Sequence, residues 1–127
     1  MPKRTKLTAR QKETLFLADI VSEASNINLF TRGKNFVTFS TDILILRAST
    51  KCLESIGEAT KNLSEALKKR HPQIEWKKVT GFRDFSAHHY WEINPAIIWD
   101  IIEGHLPAII AAANDELSRR TPPPTIP

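Results

Sequence analysis

The side chains best suited to chemistry are concentrated in residues 81–90, Gly-Phe-Arg-Asp-Phe-Ser-Ala-His-His-Tyr. Asp84 and His88 are four residues apart, so on an α-helix they would share a face. Arg83 and His88 are five apart, about 140° around an ideal α-helix. To meet, the arginine must swing back, the helix must end near His88, or a second subunit must supply the partner group. A guanidinium that binds phosphate and an imidazole that transfers protons near neutral pH indicate phosphodiester chemistry.

The aromatic residues of this segment also allow a purely structural interpretation. Phe82 and Phe85 are three residues apart, so on a helix they share a face that can pack into a core. A histidine beside aromatic residues commonly packs against them or caps a helix end. The catalytic interpretation therefore depends on what the rest of the chain adds.

Length, composition and cysteine content limit the classes of protein to which the chain can belong. With 127 residues, 41% hydrophobic and 25% charged, the sequence is typical of one globular domain over residues 1–127. A net charge of +4 permits a polyanionic partner without requiring one. Cys52 is the only cysteine, which excludes an intrachain disulfide and a cysteine-rich zinc site. No stretch has the apolar length of a membrane span and no signal-peptide core follows Met1, so we expect a cytoplasmic protein without a membrane partner.

Helix-start signals divide the first third of the chain. Thr8 and Gln11 have the spacing of a capping box, after a basic arm over residues 1–7. Apolar residues at helical spacing then predict a first helix that runs to about Asn26. The following turn contains Gly33, which can take a positive φ.

A stripe of apolar residues predicts one long second helix from about Ser40 to Lys69, ended by Pro72. Gly57 lies inside this helix, where glycine costs about 1 kcal/mol relative to alanine. It either permits close approach of another helix or is simply tolerated. Cys52 is expected to be a small buried hydrophobic residue. The stripe consists of Ile43, Leu46, Leu53, Ile56, Leu63 and Leu67.

Two more helices are predicted in the second half of the chain. The third begins near Ile74 and carries the aromatic residues of the 81–90 segment. Asn94 followed by Pro95 predicts the start of the last helix, with the asparagine as N-cap. The proline-rich end, residues 119–127, is expected to be an extended tail.

No segment alternates like a β-strand, so the sequence predicts an all-α fold, an up-and-down bundle of four to five helices. The last helix is apolar on more than one side, and Gly104 and Pro107 predict a kink or a break within it. A monomer would hide only part of that apolar surface, so we expect a homodimer. His71 and His105 lie beside helix ends and are expected at the surface.

Four blocks in order resemble the HEPN superfamily, and within it the HepT-like toxins that are paired with minimal nucleotidyltransferase antitoxins. Arg83, His88 and Tyr90 match the family signature of arginine, four residues, histidine, one residue and tyrosine. The resemblance extends from about Asp19 to Ile110. The other blocks are Gly-Glu-Ala in the long helix, His-Pro-x-Ile-x-Trp before the motif, and an apolar helix followed by Leu-Pro, at residues 57–59, 71–76 and 98–107.

This resemblance implies a helical bundle that dimerises, so that two copies of the motif form one composite active site. It also implies metal-independent endoribonuclease activity, as the toxin of a type VII-like toxin–antitoxin pair. Arg83 and His88 carry over as catalytic residues, and Tyr90 as the residue that the nucleotidyltransferase antitoxin adenylylates. Asp84 stands where the family more often has asparagine or another polar residue, and we expect it to orient or tune His88. Glu58 is a candidate supporting partner for Arg83.

Cleavage of RNA without a metal is consistent with this set of residues. The adjacent 2′-hydroxyl can act as nucleophile, so the protein need only transfer protons and stabilise charge on the phosphorane. The sequence has no glycine-rich phosphate loop and no carboxylate cluster suited to metals, so neither cofactor nor metal is expected. Two alternatives stay open: a non-catalytic helical subunit of a nucleotidyltransferase, and a module that binds RNA without cleaving it. The Arg83 and His88 pair favours the ribonuclease.

Overall fold

The computed structural model describes residues 6–87 and 93–120, and within those ranges it contains helices and turns but no β-strand. The all-α prediction is therefore confirmed. The described part has seven α-helices and one 3₁₀ helix. In order they are α1 (Ala9–Thr31), α2 (Phe36–Ser40), α3 (Ile43–Lys61), α4 (Glu65–Lys69), α5 (Trp76–Thr80), the 3₁₀ helix Gly81–Ala87, α6 (Pro95–Gly104) and α7 (Leu106–Arg120).

Helix α3 is the centre of the bundle. It packs against α1 on one side and against α5 and the 3₁₀ helix on another, while α1 also contacts α7. The short helix α2 lies against both α3 and α6. This arrangement buries one continuous apolar core, because each helix turns its apolar stripe toward α3 or α1. Its most deeply buried side chains include Leu17, Ile20, Ile27, Phe39, Leu53, Ile56, Leu67, Ile98, Leu106 and Ile109.

Helix α1 begins at the predicted capping box but ends later than predicted. The Gln11 N–H donates to Thr8 Oγ1 at 3.1 Å, and the Thr8 N–H donates to Gln11 Oε1 at 2.8 Å. The helix continues past Asn26 to Thr31. The reason is tertiary, because Ile27 is fully buried in the core and holds another turn of helix in place.

The predicted long second helix begins three residues later than expected, because two helix starts follow each other. Gly33 takes a φ of 75° in the turn after α1, as predicted. Asn35 then caps α2 with a capping box of its own. Ser40 ends α2, and Asp42 caps α3 by accepting a backbone hydrogen bond in the first turn.

The same helix is also interrupted at its other end, so the prediction of one helix to Lys69 is wrong. Helix α3 ends at Lys61, and Ser64 is the N-cap of α4. The Ser64 N–H donates to Oε2 of Glu13 on α1 at 2.6 Å. Leu67 stays fully buried after the break. A cap bonded to a distant helix thus replaces the intrahelical hydrogen bonds that a continuous helix would make.

The predicted third helix is shorter and changes its type. Helix α5 has five residues and gives way at Gly81 to a 3₁₀ helix that runs to Ala87. In a 3₁₀ helix, residues three apart are aligned, whereas the predicted pairing of Asp84 with His88 assumed four-residue alignment. Four-residue alignment therefore does not apply to the described part of the motif. His88 itself lies outside the described residues.

The last two helices follow the predicted signals closely. Asn94 caps α6 by accepting the Ala96 N–H at 2.9 Å, with Pro95 at the first helical position. The predicted break occurs between Gly104 and Leu106. Helix α7 continues to Arg120, so residues 119 and 120, predicted to belong to the extended tail, are helical. The remainder of that tail and residues 1–5 of the predicted arm lie outside the described residues.

The apolar surface of α6 is used largely within the chain. Ile98, Ile101 and Ile102 are buried, and the Trp99 ring packs against Phe39 with centroids 5.0 Å apart. Most of the apolar surface of α6 is therefore covered without a second subunit. No single helix in the described ranges is long and apolar enough to cross a membrane, although α6 and α7 together, bent by 44°, reach that length and composition.

Candidate functional site

Arg83 lies where the 3₁₀ helix meets α3, and Gly57 makes this close contact possible. A Cβ atom at position 57 would overlap the backbone nitrogen of Arg83 and lie 3.0 Å from the carbonyl carbon of Phe82. The interpretation of Gly57 as a close-approach residue is therefore confirmed. Because both contacting groups are backbone, the contact fixes the position of the chain from which the arginine side chain extends.

The two phenylalanines anchor the motif segment in the core. Phe82 is 2% exposed, and its ring is stacked on that of Phe85 with centroids 5.9 Å apart. This confirms the prediction that they share one face. Residues three apart align in a 3₁₀ helix, so the two rings share a face to which Arg83, between them, does not belong. The packing interpretation of the aromatic residues and the chemical interpretation of the arginine are thus compatible.

Arg83 borders two pockets. The smaller has a volume of about 240 Å³ and lies over α3, with Lys51, Glu54, Ser55 and Glu58 as its other lining residues. The larger has a volume of about 460 Å³ and lies between α4 and α5; besides Arg83 it is lined by Glu65, Lys68, Trp76, Lys77, Thr80, Gly81 and Asp84. The arginine side chain is 38% exposed and so is accessible to a ligand. Cationic and carboxyl groups and one aromatic ring, that of Trp76, line the two pockets around it.

Both predicted supporting residues lie beside Arg83. Asp84 is exposed, with Oδ1 3.9 Å from Nε of Arg83. Glu58 is exposed on α3 and lines the smaller pocket with Arg83. The structure thus brings three of the five predicted site residues together. His88 and Tyr90 lie outside the described residues.

Glu54 is a residue near the site that the sequence analysis missed. It lies on α3 one turn before Glu58, it lines the smaller pocket, and it is 6% exposed. Its position in the sequence offered a signal, since it directly follows Leu53 and lies three residues before Gly57 on the predicted buried face of the long helix. A charged residue on a buried helix face is uncommon without a specific partner.

A second ionisable cluster surrounds Glu116 of α7, where the second turn of α1 and the end of α4 meet α7. Arg70 donates to Glu116 through Nε at 3.1 Å and through a terminal nitrogen at 2.7 Å. Nε2 of His71 lies 2.6 Å from Oε2 of the same carboxylate. Hydrogen bonds from Arg70, and then from His71, lower the pKa of Glu116 to about 2 in spite of its burial. His71 is 7% exposed, so the prediction of a surface histidine is wrong.

This cluster ties distant parts of the chain together. Arg120 donates to Glu13, whose other oxygen accepts the Ser64 N–H. Burial raises the pKa of Glu13, but the hydrogen bonds from Arg120 and Ser64 outweigh it and lower the pKa overall. His71, Asp115 and Glu116 place three potential metal-ligand atoms within 4.8 Å of one another. The Glu116 oxygens already accept hydrogen bonds from Arg70 and His71, and a cation there would face a guanidinium. We therefore assign the cluster a structural role.

Comparison with known proteins identifies a family that covers most of the chain. The protein-family profile described as "Ribonuclease HepT-like" matches residues 20–115. A protein of Methanocaldococcus jannaschii named "Putative RNase" is 41% identical over 92 residues, which cover 72% of this chain and 76% of that protein. A "Putative RNase" of Caldanaerobacter subterraneus is 34% identical over 94 residues, covering 74% of this chain and 84% of the relative.

A "Probable ribonuclease HepT" of Thermococcus cleftensis is 32% identical over 94 residues, covering 74% of this chain and 86% of that protein. No solved structure matches the chain at comparable significance. The profile match includes α3 with its glutamates and the whole motif segment with Arg83. It ends at Asp115, one residue before Glu116. The chain belongs to the HepT-like ribonuclease family.

Proposed function

We propose that this protein is a metal-independent endoribonuclease in which Arg83 and His88 are the catalytic residues. The observation that carries the proposal is the placement of Arg83: its backbone is held against Gly57, and its side chain borders two pockets, of which the larger has cationic and aromatic lining residues. The ribonuclease names of the relatives support the same reaction class. The larger pocket combines Lys68, Lys77 and the Trp76 ring, which suit the phosphates and bases of single-stranded RNA.

The proposed reaction uses the RNA's own 2′-hydroxyl as nucleophile. A base removes its proton, the oxygen attacks the neighbouring phosphorus, and the 5′-oxygen of the next nucleotide leaves with a proton. His88 is the proposed proton-transfer group, because an imidazole can both accept and donate a proton near neutral pH. Arg83 binds the non-bridging phosphate oxygens with two N–H groups and stabilises the charge that develops on them. Glu58, which lines the smaller pocket with Arg83, supports the orientation of the arginine, and Asp84 orients or tunes His88.

The proposal predicts RNA cleavage by the purified protein in the presence of EDTA. Arg83→Ala and His88→Ala should each lower the rate by at least about a hundredfold, since each removes a charge-stabilising or proton-transfer group. Arg32→Ala, at an exposed arginine after α1, is the matched control and should leave the rate within about twofold. Cleavage that stops with chelator, or that persists unchanged in both active-site variants, contradicts the assignment.

We further propose that two copies form a homodimer with a composite site. The support is a set of exposed apolar side chains on α2, the start of α3 and α6, helices that contact one another. Where such side chains form one patch, they commonly mark a protein interface. Light scattering at micromolar concentration should give the mass of two chains; a monomer would remove the composite site. The exposed residues are Phe36, Val37, Ile43, Leu44 and Ile97.

A third proposal, that the protein is the toxin of a toxin–antitoxin pair, rests on the sequence resemblance at Tyr90. A nucleotidyltransferase partner would transfer a nucleoside monophosphate from ATP to the tyrosine oxygen, with release of pyrophosphate. The added phosphate would compete with RNA for Arg83, so inhibition requires only occupancy and charge. Intact-mass spectrometry after co-expression should show adenylate additions to the wild type and none to Tyr90→Phe. Additions that persist in this variant would place the modification elsewhere.

A further inference from the structure

Glu54 is a buried carboxyl group with few partners. Its side chain is 7% exposed, and burial of a carboxyl group is costly unless donors surround it. Oε2 lies 3.6 Å from Nζ of Lys51, but that lysine side chain is 72% exposed, so the ion pair compensates little. Oε1 is buried and accepts no hydrogen bond from any group in the described ranges. Such atoms are rare in folded proteins and are concentrated at functional sites.

The fold fixes Glu54 relative to Arg83. Both residues line the pocket of about 240 Å³. Gly57 follows Glu54 by three residues on α3, and it is the residue that packs against the backbone of Arg83. The two side chains therefore start from backbone positions that cannot separate unless α3 and the 3₁₀ helix come apart.

We propose that Glu54 is a positioning residue whose carboxyl group orients the Arg83 guanidinium toward the RNA phosphate, an inference that rests on the proposed ribonuclease function. A guanidinium has five N–H donors in a rigid plane, and a bidentate phosphate contact uses two of them. The donors on the other edge are then directed away from the phosphate, and a carboxyl oxygen in the same pocket can accept from them. This contact fixes the plane of the guanidinium and so the direction of the two donors that bind phosphate.

The consequence is that Glu54 matters only while residue 83 is an arginine. Without Glu54, Arg83 keeps its charge but not its orientation, and it binds phosphate as a point charge. Arg83→Lys also keeps the charge but removes the orientation, because an ammonium group has no plane that a carboxyl group could orient. The effects of the two substitutions should therefore not add.

A double-mutant cycle tests this with wild type, Glu54→Gln, Arg83→Lys and the double variant. Two quantities are measured: the RNA cleavage rate in EDTA, and the affinity for the same RNA with a 2′-O-methyl group that blocks the nucleophile. Glu54→Gln should lower the cleavage rate about tenfold in the wild-type background and less than about twofold beside Arg83→Lys. Glu103→Gln, at an exposed glutamate of α6, is the control and should change neither quantity by more than about twofold.

The proposal is overturned if Glu54→Gln lowers the cleavage rate by the same factor in the wild-type and Arg83→Lys backgrounds, which is the behaviour of a purely structural residue. It is also overturned if Glu54→Gln has no effect in the wild-type background. If no RNA is cleaved under any condition, the proposed function fails, and the affinity cycle alone decides the role of Glu54 by the same criterion. If Glu54→Gln does not fold, as judged by circular dichroism, Glu54→Asp replaces it in the cycle. That variant keeps the carboxyl group but withdraws it by one methylene, and the same loss of additivity is expected.

Discussion

A carboxyl group and a thiol lie two residues apart on α3, and their surroundings give them different properties. Glu54 lines a pocket with Arg83, whereas Cys52 is buried against the core and lines none of the pockets described above. Burial, with a smaller contribution from Glu23, raises the pKa of Cys52 to about 12. At the scale of single residues, exposure and partners decide reactivity, and a side chain's type alone does not.

Cys52 should therefore be chemically inert in the folded protein. The thiolate is the reactive form, and with a pKa near 12 it is about a thousandfold scarcer at pH 8 than for an ordinary thiol. We expect iodoacetamide to label the native protein at least about a thousandfold more slowly than the same protein unfolded in urea. The labelled fraction is measured by mass spectrometry over time. Equal rates in the two states would show that the thiol is accessible and contradict its burial.

At the scale of secondary-structure elements, the contact between α3 and the 3₁₀ helix supports the site most directly. It depends on the absence of a side chain at Gly57, because the neighbouring atoms are backbone atoms of Phe82 and Arg83, which cannot rotate away. A larger residue would have to push the whole 3₁₀ helix outward. Stability and the position of Arg83 are thus coupled through one contact.

Gly57→Ala should destabilise the protein and impair RNA cleavage together. Alanine favours the helix by about 1 kcal/mol, but overpacking costs up to about 3 kcal/mol where the neighbouring atoms are backbone, so we expect a net loss of about 2 kcal/mol. Urea unfolding and cleavage in EDTA measure the two effects. Gly104→Ala is the control, since an added Cβ there meets nothing within 4 Å. A Gly57→Ala protein with wild-type stability and activity would contradict the close contact.

At the scale of the whole molecule, the cluster around Glu116 ties α1, α4 and α7 together. Arg70, His71 and Arg120 surround the carboxylate of Glu116, and Arg120 also reaches Glu13. The side chains of Glu116 and Arg120 are buried, so removal of the carboxylate leaves a buried positive charge less compensated. The cluster thus makes the stability of the fold sensitive to pH.

The pKa of Glu116 predicts how stability changes with pH. Its folded-state pKa of about 2 is below the ordinary value of 4.5, so its contribution is fully present above about pH 4.5 and is lost as the pH falls toward 2. Glu116→Gln should lower the free energy of unfolding by about 3 kcal/mol at pH 7 and by much less at pH 2.5. Urea unfolding at pH 7, 4 and 2.5 measures this difference.

Glu75→Gln is the control for this series. Glu75 pairs with Lys78 on the surface at 3.9 Å, outside the cluster, and such exposed pairs contribute about 0–1 kcal/mol. Its effect should therefore be small at each pH. A Glu116→Gln deficit that stays constant from pH 7 to pH 2.5 would show that the carboxylate charge is not what stabilises the cluster.

The sequence by itself determined the features that depend on neighbours only a few residues away. The capping box at Thr8, the positive φ of Gly33, and the helix start at Asn94 and Pro95 were all predicted and are all present. Each is a local matter of backbone hydrogen bonding or steric freedom, so the residues that cause it are adjacent in the chain. Arg83 was likewise selected from its own signature, and its catalytic role stays a prediction.

Only the tertiary structure decided the features whose partners are distant in sequence. The break between α3 and α4 includes the hydrogen bond from Ser64 to Glu13, 51 residues away. His71 is buried because it meets Glu116, 45 residues further on. Glu54 shares a pocket with Arg83 because the 3₁₀ helix packs against Gly57, and the sequence does not show that contact. Such contacts follow from how helices pack, which a local pattern of residues does not encode.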